Sequence, residues 1–88
     1  MIGIEVTSVF RYRMPRIAFF FGISIYMYMD DHGIPHCHAI YGDYAGSFSI
    51  ESGECLAGEI PPSQAKKIKS FILNNQEELM EKWHELSG

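Results

Sequence analysis

The residues most able to do chemistry lie in one stretch, Asp30–Ala39, which reads DDHGIPHCHA. Three of the four histidines of the chain fall within it, after two aspartates. His36 and His38 are two positions apart, and alternate side chains of a β-strand point to the same side of a sheet. This spacing therefore predicts two imidazoles side by side, with His32 supplied by the loop before them.

Two kinds of chemistry fit this arrangement. In the first, His32, His36 and His38 bind a divalent metal such as zinc, nickel or iron, with a loop aspartate as an alternative third ligand. In the second, His36 and His38 act without metal as the acid and base that cleave RNA. Nearby arginines or lysines would then stabilise the charged transition state.

The same stretch also fits a purely structural role, in which the histidines bond to carboxylates and hydroxyls and fix the loop. Its exposed face would then be free to bind a protein. Whichever role holds, the side chains expected to bind or position a ligand are His32, Tyr26, Tyr28, Ser47 and Ser49.

A β-hairpin is needed to hold the two histidines in place. Residues 36–41 and 44–51 are strand-like, and Gly42-Asp43 between them is typical of a tight two-residue turn. The resulting register predicts the cross-strand pairs His36–Ser49 and His38–Ser47. These pairs lie on the face turned away from the core and its helices.

The rest of the chain predicts the layers around this hairpin. Residues 17–21 and 23–29 are strand-like, and residues 54–58 form a short strand with Cys55 opposite Ile50. Apolar spacing of three and four residues then predicts one helix from Pro62 to Leu73 and a second beyond Asn75. We predict an α+β domain over residues 14–88, an antiparallel sheet of three to five strands with one face covered by two C-terminal helices. Residues 1–13 form an N-terminal extension or an added strand.

Composition narrows the setting. The chain has 88 residues and a net charge of −4, which argues against a general nucleic-acid binder. It lacks an apolar run of about 18 residues and a secretory signal, so we expect a cytoplasmic protein without a membrane partner. A chain this short has a small core, so a small protein partner or self-association is also expected.

Several short motifs occur together along the chain: Met14-Pro15, Phe21-Gly22-Ile23, Tyr26-Met27-Tyr28, Asp31-His32-x-x-Pro35-His36-x-His38, Tyr41-Gly42-x-Tyr44 and Glu77-Glu78-Leu79-x-x-x-Trp83. Together they resemble a family of small bacterial proteins known only as a domain of unknown function, whose signature is D-H-x-P-P-H-x-H. Here Ile34 replaces the first proline of that signature, and Cys37 stands where an aromatic residue is common. The resemblance implies a compact domain encoded beside a second small protein, as in toxin–antitoxin operons, and assigns no catalytic residue.

The leading hypothesis is therefore a bacterial domain that acts with a partner protein, as in a toxin–antitoxin pair, through its histidine-rich surface. One alternative is a small RNase-like hydrolase that uses His32, His36 and His38 with or without a divalent metal. The other is a metal-binding module without catalysis. The sequence leaves open whether the protein is an enzyme.

Overall fold

The computed structural model describes residues 15–29 and 31–87. These form the strands β1 (Arg16–Phe20), β2 (Ile23–Tyr26), β3 (His36–Tyr41), β4 (Tyr44–Ser49) and β5 (Cys55–Glu59), then the helices α1 (Pro62–Asn74) and α2 (Gln76–Ser87). The strands follow chain order in one antiparallel sheet. The predicted α+β class is confirmed. The predicted extension over residues 1–13 lies outside the described residues.

One face of the sheet carries the core, because alternate residues of the central strands are apolar and point the same way. The fully buried residues of this face include Ile23, Ile25, Cys37, Ala39 and Phe48. Both helices cover it with the apolar side chains Ile68, Ile72, Leu79 and Trp83. Burial of each large apolar side chain contributes about 1.5–3 kcal/mol to the stability of the folded chain. Neither helix has the length and apolarity needed to cross a bilayer.

The β3–β4 hairpin has the register that the turn residues predict. His36 pairs with Ser49 and His38 pairs with Ser47, across the two-residue turn. Gly42 in that turn has a φ of 58°, a left-handed conformation that glycine adopts at little cost. The two imidazoles therefore belong to the same side of the sheet, opposite the core.

The register predicted for β5 is wrong. Cys55 pairs with Phe48 rather than with Ile50, and a bulge interrupts the pairing between Ser47 and Phe48. The cause is Ser49, whose hydroxyl accepts the backbone N–H groups of residues 51 and 52, each at 3.1 Å. The chain therefore turns directly after β4, earlier than the sequence predicts. As a result, Cys55 of β5 lies opposite an earlier residue of β4 than predicted.

Strand β2 is also shorter than predicted, since it ends at Tyr26 rather than at Met29. The backbone N–H of Met27 still donates to the carbonyl of Pro15 at 3.2 Å, so the chain stays close to β1 for one more residue. Beyond Met27 it leaves the sheet for the loop that precedes β3. That early departure brings the loop over the histidine face.

Candidate metal centre

Three side chains converge where β3 begins. The rings of His36 and His38 lie with their centroids 4.9 Å apart and their planes at 75°. The loop before β3 adds Asp31, whose Oδ2 lies 3.0 Å from Nε2 of each histidine. One donor atom from each of the three residues lies within 4.8 Å of the others. The side chains are 14–24% exposed, so solvent reaches a cluster that is mostly enclosed.

The hydrogen bond at one nitrogen of the His36 ring decides what its other nitrogen can offer to Asp31. Its Nδ1 lies 2.7 Å from the carbonyl oxygen of Ile34, which can only accept, so Nδ1 carries the proton. In a neutral ring, Nε2 then holds a lone pair that faces the Asp31 carboxylate oxygen at 3.0 Å. The Nε2 lone pair and the carboxylate oxygen repel each other unless the ring carries a second proton or a cation lies between them. A carbonyl that fixes the outer N–H is the usual support of a metal-bound histidine.

The ring of His38 is oriented from two further sides. Tyr28 stacks on it with centroids 3.9 Å apart and planes within 10°. The hydroxyl of Ser47 lies 3.4 Å from its Nδ1. Because a hydroxyl both donates and accepts, Ser47 suits either tautomer of this ring. Both imidazoles are therefore positioned by neighbours other than the carboxylate.

Asp31 is the anionic member of the cluster. Burial, the largest single influence, raises the pKa of this carboxyl. The hydrogen bonds from His38 and the His32 backbone N–H, together with the charges of His36 and His38, outweigh burial and bring the pKa below the ordinary 3.8. The carboxylate is therefore ionised at neutral pH, which is the form that binds a metal.

Two of the three donor separations in the cluster are short enough for a shared first-row divalent ion. Ligands about 2.1 Å from such an ion are about 3.0 Å apart at right angles and about 3.4 Å apart in a tetrahedron. Both histidine-to-carboxylate separations are 3.0 Å, a distance that a hydrogen bond also gives, and all three donor atoms lie within 4.8 Å of one another. Two imidazoles and one carboxylate would leave further positions on the metal open, as in catalytic zinc and non-haem iron sites.

The structure gathers most, but not all, of the candidate residues. Tyr28 and Ser47 contact His38, and Tyr26 pairs with His38 across the neighbouring strand. Ser49 is 5% exposed and its hydroxyl is used by the turn after β4. His32 is exposed and lies outside the cluster, where the loop aspartate takes the third position.

Two contributions were not found from the sequence. The ring of Trp83 on α2 lies 5.1 Å from the ring of His36, so the expected separation of this face from the helices does not hold there. The carbonyl of Ile34 fixes the His36 ring. Trp83 sits on an apolar helical stripe and signals only a core residue, and a backbone carbonyl leaves no mark in a sequence.

One family model matches residues 22–84, a span that contains the cluster, the strands β2 to β5, the helix α1 and most of α2. The chain belongs to the DUF4160 family. DUF4160 is described as a domain of unknown function. Searches of curated proteins and of solved structures found no match. The case for a metal at the candidate cluster therefore rests on the geometry of Asp31, His36 and His38.

Proposed function

We propose that the chain binds one divalent metal ion through Asp31, His36 and His38, and that this centre is its functional site. The observation that carries the proposal is the convergence of three donor atoms, since Oδ2 of Asp31 lies 3.0 Å from Nε2 of both His36 and His38. Nδ1 of His36 is already bonded to the carbonyl of Ile34, so Nε2 is the nitrogen that faces a shared metal ion. Zinc, nickel and iron all accept imidazole and carboxylate ligands.

Hydrolysis is the second candidate, because a metal with open positions can lower the pKa of a bound water. An RNase that used only His36 and His38 has less support, since Nε2 of each ring faces Asp31. In the part of the chain that the structure describes, Lys67 lies over a phenylalanine ring, and Lys69 and Lys82 pair with glutamates. Arg16 lies in the same row of the sheet as His38, because it pairs with Tyr26, which in turn pairs with His38.

A partner protein, a toxin–antitoxin-like role and a cytoplasmic location stay predictions. The family resemblance supports them, and the exposed side of the cluster is compatible with them. These three predictions do not bear on which residues bind the metal.

The test is a zinc titration of the untagged full chain after metal removal, in competition with a chromophoric chelator. We expect one ion per chain, and a loss of affinity greater than about 100-fold in His36→Ala and in His38→Ala. His84→Ala is the matched control, because His84 is an exposed histidine of α2 outside the cluster. His32→Ala should bind as the wild type does. Equal affinity in the wild type and His38→Ala would remove the proposal.

The same samples test hydrolysis. The zinc-loaded wild type is incubated with single-stranded RNA beside the metal-free protein and His38→Ala. Cleavage that needs both zinc and His38 supports a metal-dependent hydrolase. Cleavage by all three samples would assign the activity to a contaminant.

A further inference from the structure

An exposed phenylalanine marks one end of the sheet. Phe21 is the first residue of the two-residue turn between β1 and β2, where its φ is +50° and that of Gly22 is +76°. This turn type favours asparagine or glycine at the first position, and a bulky residue there is strained. The Phe21 side chain is nevertheless 73% exposed. Nζ of Lys67 lies 5.2 Å from the centre of its ring. We call Phe21 with Lys67 the knob.

A groove of about 490 Å³ lies between the loop before β3 and the start of α2. Pro35 and Met80 supply its accessible apolar surface, Ile50 is fully buried behind it, and Glu51 and Glu77 also line it. The backbone N–H of Ile50 donates to the carbonyl of Pro35 at 3.0 Å, which joins two walls of the groove. The groove is therefore preformed, and we call it the acidic groove.

Gln76 strengthens that part of the fold. Its side-chain amide donates to the carbonyls of residues 50 and 51, at 3.0 and 2.8 Å. Within the part of the chain that the structure describes, Glu51 and Glu77 form no ion pair. Among the residues that the structure places, nothing neutralises these two charges, so they can attract a cation brought by a ligand.

The knob and the acidic groove are complementary, since one is an apolar projection with a positive charge and the other an apolar recess with negative charges. They lie at opposite ends of the sheet, because the turn at Phe21 is beside the β3–β4 turn and Pro35 precedes the other end of β3. The strand between them has six residues, or about 20 Å. One copy cannot join its own two surfaces, whereas a second copy can.

We propose that the chain self-associates head to tail, with the Phe21 knob of one copy seated in the acidic groove of the next. Such a contact joins two different surfaces, so it closes into a ring or continues as a filament. It uses none of the proposed metal ligands. Failure of this contact therefore leaves the metal proposal intact, and the reverse also holds.

The first test is sedimentation velocity of the full chain in chelator, from micromolar to near-millimolar concentration. We expect the mean mass to rise with concentration, and to rise less in high salt because the charges are screened. Phe21→Asn should weaken association at least about 30-fold, as loss of a central aromatic anchor does. Because asparagine tolerates the left-handed turn, this variant should unfold at the same temperature as the wild type or higher.

The second test exchanges the charges. Glu77→Lys and Lys67→Glu should each weaken association, and the double variant should recover it. Glu78→Lys is the control for the first change, because Glu78 also lies in the first turn of α2 but does not line the acidic groove. Lys66→Glu is the control for the second. A wild type that stays monomeric, association that survives Phe21→Asn, or a double variant without recovery would each overturn the proposal.

Discussion

Replacing Asp31 by asparagine changes the charge of the proposed metal centre while keeping the shape of the side chain. The carboxylate oxygen lies 3.0 Å from both imidazole nitrogens, and it is the anionic ligand of the set. A doubly charged ion about 2.1 Å from a carboxylate oxygen is attracted by about 4 kcal/mol, even with the full dielectric screening of water. Loss of that attraction corresponds to roughly 700-fold in Kd. Asp31→Asn should therefore bind zinc several hundred-fold more weakly than the wild type.

The assay is the chelator competition on the full chain, with thermal unfolding of each metal-free sample to show that the variant is folded. Asp43→Asn is the matched control, since Asp43 is an exposed aspartate in the β3–β4 turn and its replacement makes the same change in net charge. We expect Asp43→Asn to keep the wild-type affinity. If both variants bind zinc within a few-fold of the wild type, Asp31 is not a ligand and the assignment is wrong.

Three further results are expected. The contacts of Asp31 lower its pKa below 3.8, so the stability that they give to the fold is fully present above that pH and is lost as the pH falls through the lowered pKa. When the free energy of unfolding is measured down through this range, it should therefore fall less in Asp31→Asn than in the wild type. Burial raises the pKa of Cys37 to about 12, while Cys55 is exposed; a thiol reagent should therefore modify one cysteine per folded chain. Gly58→Ala should destabilise the fold by about 2 kcal/mol or more, since its Cβ would meet the Ala45 carbonyl oxygen at 2.3 Å. Gly42→Ala should cost only about 1 kcal/mol, since no atom lies within 4 Å of the added Cβ.

Each of these results has an opposite that would count against the structure. An equal acid-induced loss in the wild type and Asp31→Asn would mean that the carboxylate makes no stabilising contacts. Rapid modification of both thiols would place Cys37 at the surface. Equal stability of the two glycine variants would mean that β5 does not approach β4 as described.

Local rules were enough to predict the centre of the sheet. Gly42 and Asp43 specify a two-residue turn, and the alternation on either side specifies the face of each residue, so the pairs of His36 and His38 followed from neighbours in sequence. The register of β5 could not be predicted in the same way. It depends on the Ser49 hydroxyl, which captures two backbone N–H groups of the turn in place of a continued strand.

The candidate site shows the same division. The side-by-side histidines follow from their spacing on a strand. The preference for Asp31 over His32 depends on the path of the loop, and the fixed proton on His36 depends on the carbonyl of Ile34. Contact with Trp83 depends on how α2 crosses the end of the sheet. The spacing of the histidines in the sequence identifies a few candidate ligands, and the tertiary structure determines which of them lie close together.

The most direct measurement is the X-ray absorption spectrum of the full chain loaded with one equivalent of zinc. We expect a first shell of nitrogen and oxygen at about 2.0–2.2 Å with the scattering of two imidazoles, and that imidazole scattering should be lost in His36→Ala/His38→Ala. A sulfur shell at about 2.3 Å, which would come from Cys37 or Cys55, would contradict this expectation. So would a spectrum that the double variant leaves unchanged.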